Sequence, residues 1–299
     1  MTRVLYLTGW CRSGSTVLGN VLGELPGVVH VGELHYLWRN GVLGAGTNTQ
    51  CGCGENVAQC PLWSKVIARV TGGDPVAFAR AAVADLKAGM RTRHTLDRLQ
   101  GKVSAAASRA VGRLSEVYQA ITEIAGARLI IDGSKYPAEA ASLLHLPELD
   151  VRVLHLVRDP RATAHSWRRA KGYIPAMGVV RSTAYWTYFN AVSDHIGRSA
   201  PQRYLRLRYE DFTASPQLAL RSVLELCGLT DKPPVDDQGR ATLGQNHTVT
   251  GNPDRLTKGQ IFLVPDNAWK KALPPVPRLA ATLLAAPLLR RYRYPAVMR

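Results

Sequence analysis

A chain of 299 residues that is 46% hydrophobic and 20% charged is long enough to bury a full core and too apolar to be disordered. Its formal net charge of +16 calls for an anionic partner: a polyphosphorylated small molecule, nucleic acid or an acidic lipid surface. The basic residues are spread without the run that marks a nucleic-acid tail; an odd count of five cysteines, no apolar leader and no apolar stretch of about 18 residues argue against a secreted scaffold or membrane span, so a cytoplasmic protein is expected.

Val4–Leu7 reads as a short buried strand. Gly9-Trp-Cys-Arg-Ser-Gly14-Ser-Thr16 follows, and then Leu18, Val21, Leu22 and Leu25 recur with the spacing of one helix face. Strand, glycine loop and helix together form an anion cradle, because backbone N–H groups and the positive helix end converge on one point. A nucleotide triphosphatase needs a lysine before the closing Ser/Thr of this loop. Here Ser15 takes the lysine's place and Arg12 lies inside the loop, so the anion is not expected to be handled like ATP.

Val28–Val31 is the next strand, leading into Gly32-Glu33-Leu34-His35. Cys51, Cys53 and Cys60 form a dense patch without a matched fourth ligand, and His35 or His94 are the candidates to complete one. Zinc, a disulfide and plain packing stay open there, and no metal is assigned. Residues 61–126 are rich in alanine and arginine and read as two or three helices inserted over the sheet.

Residues 128–132 make a third strand, ending in Asp132-Gly-Ser134-Lys135. An aspartate at the end of an apolar strand is also where a kinase holds magnesium. Without the loop lysine, Asp132 reads as a helix cap or an organiser of Lys135. The fourth strand, Val151–Val157, runs into Arg158-Asp159-Pro160-Arg161. Asp159 suits a helix cap and Pro160 the first helical position, where no N–H is needed. Ala162, Ser166 and Arg169 then share a helix face, and Arg158 with Ser166 makes a second anion site. Tyr185–Phe189 reads mostly as a buried helix face. Tyr204–Arg208 is a fifth strand, followed by Tyr209.

Residues 233–254 read as loop. Leu279–Leu289 reads as a short apolar helix before Arg290, Arg291 and Arg293, docked with a dipole-matched cationic end; weak contact with a membrane surface is the alternative. The alternation of strands and helices predicts an α/β protein: a P-loop-like three-layer fold with a mostly parallel central sheet and a helical insertion, in one domain over 1–299 with a C-terminal loop and helix region from about 233. The polar motifs all fall at strand ends, where such sheets bind ligands.

The pairing of Arg-Ser-Gly-Ser-Thr with a distant Val-Arg-Asp-Pro-Arg-Ala-x-x-x-Ser resembles the sulfotransferases that use 3′-phosphoadenosine 5′-phosphosulfate (PAPS), notably the branch of tyrosylprotein sulfotransferases and bacterial relatives. The resemblance covers Val4 to about Asp211. It implies that Arg12, Ser13, Gly14, Ser15 and Thr16 bind the 5′-phosphosulfate, that Arg158 and Ser166 bind the 3′-phosphate, and that Tyr209 lies near the nucleotide. It further implies a basic loop closing over the nucleotide, matched loosely by Arg255 and Lys258. Glu33 becomes the general base, His35 its rival, and Lys135 a second catalytic cation beside Arg12.

The implied reaction moves a sulfuryl group to a hydroxyl, or an amine, by in-line displacement. Less negative charge develops than in phosphoryl transfer, so guanidinium and backbone donors can serve without a metal ion. The expected acceptor is a small molecule, carbohydrate, lipid or natural product, with no specific nucleic-acid partner. Two other readings compete: a small-molecule kinase using ATP and magnesium, and a non-catalytic basic module for nucleic acid or anionic lipid.

Overall fold

The computed structural model describes residues 1–169 and 174–295. Its centre is a five-stranded sheet: β1 (Thr2–Thr8), β2 (Val28–Gly32), β3 (Leu129–Lys135), β4 (Leu149–Val157) and β5 (Tyr204–Arg208). The order is β2-β3-β1-β4-β5 and every pairing is parallel. Parallel strands point all their carboxyl ends to one edge, so the five segments that leave them can build a single site.

Period-2 alternation separates two cores. Val4 and Tyr6 face a layer that includes α2 (Trp63–Thr71), α3 (Pro75–Gly89), α4 (Thr95–Leu99) and α5 (Ala105–Ala125), where Trp63, Tyr118 and Ile121 are buried. The α6 helix (Pro137–Leu143) lies in this layer too. Leu5 and Leu7 face the other way, onto Leu18 and Leu22 of α1 (Ser15–Leu22). The α7 (Pro160–Trp167) and α8 (Val179–Ser199) helices then lead to β5, followed by α9 (Tyr209–Ala214) and α10 (Pro216–Leu226). The three-layer P-loop-like α/β fold is therefore present.

The details differ from the sequence reading in five places, the last at the C-terminal helix. The insertion holds four α-helices, because short polar turns divide it further than composition suggests. β3 continues past Asp132 to Lys135, through a register shift opposite Tyr6–Thr8. The stretch read as loop contains β6 (Arg240–Leu243), which pairs antiparallel with β7 (Gly259–Phe262) and buries Ala241 and Leu243. Of the rings in 185–189, Trp186 is buried, whereas Tyr185 and Tyr188 are exposed.

After α11 (Ala268–Ala272), the C-terminal helix splits into α12 (Pro275–Leu284) and α13 (Ala286–Arg291). Pro287 cannot continue the α12 hydrogen-bond ladder. Leu288 and Leu289 are buried with Tyr292, and Arg291 Nε lies 3.0 Å from Asp194. This end is docked, although Val276, Leu279 and Leu283 of α12 face solvent. Residues 296–299 of the C-terminal region lie outside the described residues. Among the described residues, no helix is long and apolar enough to cross a membrane.

Candidate active site

Each strand of the sheet delivers a residue to one cleft of about 930 Å³. Arg12 follows β1, Glu33 follows β2, Lys135 ends β3, Arg158 follows β4 and Tyr209 follows β5. Gly14, Ser15, Thr16 and Ser166 line it as well. The glycine loop and the second anion motif, 146 residues apart, meet directly: Arg158 Nη1 donates to the Arg12 carbonyl at 3.1 Å.

The loop keeps its shape through backbone conformations that most residues avoid. Gly9 has φ 115° and Gly14 φ 88°; a Cβ on Gly14 would come within 2.5 Å of the Tyr209 ring. Glycine there lets the ring lie against the loop, and the Arg158 guanidinium stacks over the same ring at 4.5 Å from its centroid. Gly14 is the N-cap of α1, and it supplies no side chain to cap that helix. The first amides of α1 are thus directed at the cleft, where an anion would complement the helix end. Arg12 has φ 70°, and its guanidinium covers Trp167 at 4.9 Å.

Arg158 is 8% exposed and gives Nη2 to Asp266 at 2.6 Å, while its Nε has no partner among the described residues. Burial raises the Asp266 carboxyl, but the hydrogen bond and charge of Arg158 outweigh it and hold the pKa below the ordinary value. Asp159 caps α7 by accepting from the Arg161 amide at 2.8 Å, with Pro160 in the first turn. Asp159 also neutralises the buried Arg161, which leaves Arg158 as the cation of this motif that faces the cleft.

Beside the glycine loop, at the ends of β2 and β3, sits an ion pair. Lys135 Nζ lies 2.6 Å from Glu33 Oε1 and donates to the Gly133 carbonyl at 2.7 Å. Burial opposes the ammonium, but the Glu33 carboxylate outweighs it, with help from Asp132, so the Lys135 pKa is raised. Lys135 has φ 73°, a strained conformation for a non-glycine residue. Gly32 positions Glu33: its φ is 79°, and a Cβ would strike the Val249 carbonyl, which accepts from the Glu33 amide at 2.8 Å. Burial also raises the Cys11 thiol, so this cleft residue is kept protonated.

Three of the candidates from sequence, His35, Ser13 and Lys258, are not in the lining of this cleft. His35 turns to Glu139, hydrogen-bonding it through Nδ1, and stacks on Tyr136 with ring centroids 3.8 Å apart. Ser13 is buried. Arg255, 2% exposed, is in a different position: it donates to the Thr248 carbonyl, the Gln50 carbonyl and Asn48 Oδ1, and it lines a small pocket next to the cleft together with Ser15, Thr16, Glu33 and Lys135. Lys258 is exposed and away from the cleft lining. Asn252 and Asp254 of the same loop line the cleft instead.

Asp132 is fully buried and caps no helix. It accepts from Tyr118 Oη at 2.6 Å and the Ser134 amide at 2.8 Å, and Ser134 Oγ in turn accepts from the His35 amide at 3.0 Å. Burial pushes its pKa up to about 6. Sequence reasoning missed Asp266, Tyr36 and the 44–48 stretch, all part of the lining. These carry no local motif. It also missed His247, which stands beside the three cysteines where His35 and His94 do not.

A family model described as "Sulfotransferase family" matches residues 5–233. Among solved structures, the sulfotransferase domain from the Synechococcus PCC 7002 olefin synthase is 23% identical, with a TM-score of 0.56, covering 98% of this chain and 95% of that one. The sulfotransferase domain from the curacin biosynthetic pathway is 19% identical, with a TM-score of 0.53, covering 98% and 97%. At these identities the two structures show a shared fold. No curated protein matches the chain. With the family model spanning the sheet and all five strand ends that build the cleft, the chain belongs to the sulfotransferase family.

Proposed function

We propose that this sulfotransferase takes its sulfuryl group from PAPS and passes it to an acceptor hydroxyl, or an amine, by in-line displacement. The observation that carries this reading is a single cleft lined by two anion elements, the loop at Arg12–Thr16 and Arg158 with Ser166, with the Glu33–Lys135 pair beside the loop. An adenosine nucleotide with phosphates at both ribose ends suits that spacing of charge. ATP chemistry does not suit it, because the strand-end aspartate is buried among Tyr118 and Ser134 rather than facing a nucleotide.

In the proposed step Glu33 accepts the acceptor proton and the acceptor oxygen forms a bond to sulfur. The bond from sulfur to the 5′-phosphate oxygen breaks. Negative charge then gathers on that phosphate, where Arg12, the α1 amides and Lys135 stabilise it. Lys135 has a dual position: paired with Glu33 it restrains the base, and turning to the leaving oxygen it frees that carboxylate. No metal ion takes part in this scheme. The acceptor is proposed to be a small molecule, natural product, carbohydrate or lipid that rests against Tyr36.

Thermal-shift measurements with adenosine 3′,5′-bisphosphate and with ATP–magnesium test the donor assignment. Stabilisation by the bisphosphate, followed by transfer from labelled PAPS across acceptor classes, is the expected result. Preferential stabilisation by ATP–magnesium would overturn it.

A further inference from the structure

The three cysteines read as an incomplete set acquire a fourth donor in the fold. Cys51, Cys53, Cys60 and His247 bring one ligand atom each to within 4.8 Å of all the others. Cys60 Sγ lies 3.1 Å from His247 Nδ1 and 3.4 Å from Cys51 Sγ, and Cys51 Sγ lies 3.9 Å from the same nitrogen. Zinc bonds of about 2.3 Å to sulfur and about 2.0–2.1 Å to nitrogen space tetrahedral ligands about 3.5–3.8 Å apart. We propose that these residues form a closed Cys3His zinc site that clamps the 48–60 stretch to the 246–252 stretch. It is a structural site, independent of the sulfotransfer reading.

The surrounding backbone is built for such a clamp. The Gly54 amide returns to the Cys51 carbonyl at 2.9 Å, which closes a tight turn around Cys53. Gly52 donates to the Thr248 carbonyl at 2.9 Å, and a Cβ on Gly52 would fall 1.9 Å from Asn246 Oδ1, so the two stretches touch only because that residue is glycine. Trp63 Nε1 holds the His247 carbonyl at 2.6 Å, which fixes the histidine backbone beside the cysteines.

Charge supplies an independent argument. Arg255 is 2% exposed, and its hydrogen-bond acceptors are carbonyls, an Asn amide oxygen and a Thr hydroxyl; the Glu33 carboxylate, which shares its small pocket, is already paired with Lys135. A buried guanidinium needs a compensating anion. Zinc bound by three thiolates and a neutral imidazole carries one net negative charge, beside the Gln50 carbonyl that Arg255 grips. Binding releases three thiol protons and changes no oxidation state. A Cys51–Cys60 disulfide would supply no charge and would leave Cys53 and His247 without a task.

The clamp bears on the cleft. Asn48, Thr250, Gly251 and Asn252 line it, and the Val249 carbonyl holds the Glu33 amide. Residues nearly 200 positions apart are joined there (|i−j| is 196 for Cys51 and His247). A metal cross-link over so long a loop restricts the unfolded chain and the two cleft walls together.

Elemental analysis of the purified full chain tests the proposal, with about one zinc per chain expected and retained through dialysis. X-ray absorption should show three sulfurs and one nitrogen around it. Chelation of the wild-type protein should lower its melting midpoint and open the 44–60 and 246–256 stretches to protease. Cys53→Ser and His247→Ala should lose the metal, whereas Cys227→Ser, buried elsewhere, should keep it. Metal-free wild-type protein, zinc that survives in both ligand variants, or a denatured-state thiol count reduced by a Cys51–Cys60 disulfide would each overturn the assignment.

Discussion

Lys135 Nζ lies 2.6 Å from Glu33 Oε1, and the two groups come from the ends of neighbouring parallel strands. β2 and β3 therefore set the proposed base and its neighbouring cation at a separation fixed by the sheet itself. Loop geometry contributes only the final turn at Gly32 and the strained φ at Lys135.

Glu33→Gln should lower turnover by roughly 10²–10⁴-fold, the range for a lost general base. Binding of adenosine 3′,5′-bisphosphate should change little, since the glutamine keeps the size of the side chain. Steady-state transfer from labelled PAPS, paired with calorimetric titration of the bisphosphate, separates the two effects. Unchanged turnover would remove Glu33 from the chemistry.

Arg158→Ala should weaken the bisphosphate by about 10–100-fold, as expected for a charge-assisted hydrogen bond of roughly 1.5–3 kcal/mol. Adenosine 5′-phosphate, which lacks the second phosphate, should lose far less. Equal losses for both ligands would move Arg158 away from the 3′ end.

Gly14→Ala should destabilise the fold by about 1–3 kcal/mol, because it adds both a left-handed backbone strain and a clash with Tyr209. Tyr209→Ala in that background should return part of the loss by removing the clash. Thermal midpoints of the two single variants and the double variant read the coupling. A harmless Gly14→Ala would mean that the ring does not lie on the loop.

Acid should destabilise the protein below about pH 6.5, the ordinary histidine value. Burial depresses the pKa of His30 to about 3 and that of His155 to about 4, so the unfolded chain takes up protons that the native one refuses. Their stabilising contribution is present above the unfolded pKa and is lost as pH falls toward those values. Asp132, raised to about 6, acts in the opposite sense, losing stability as pH rises from about 4 to 6. Two large histidine shifts outweigh one smaller carboxyl shift. Melting midpoints between pH 7 and 4 should fall, and His155→Gln should flatten that decline. A level profile in the wild type would contradict the assignment of buried neutral imidazoles.

What was legible in the sequence is what local rules encode. The five strands, the lysine-free glycine loop and the Asp159–Pro160 helix start all depend on neighbours within a few positions. The packing of Arg255 was not legible, since a basic residue in a turn-rich stretch gives no sign that it also ties two loops together through their carbonyls. His247 was hidden for the same reason: nothing near it in sequence announces three cysteines almost 200 residues earlier. β6 and β7 escaped because strands of four residues offer only two alternations each.

The contact between Arg158 and Asp266 changes what an affinity at that end of the cleft would mean. A phosphate arriving there meets a guanidinium already engaged by a carboxylate at 2.6 Å, so occupation is an exchange of anions rather than the filling of a bare charge. The strength of the proposed 3′ contact would thus read as a difference between two ion pairs. Asp266 also gives electrostatic cover to a cation that is otherwise buried.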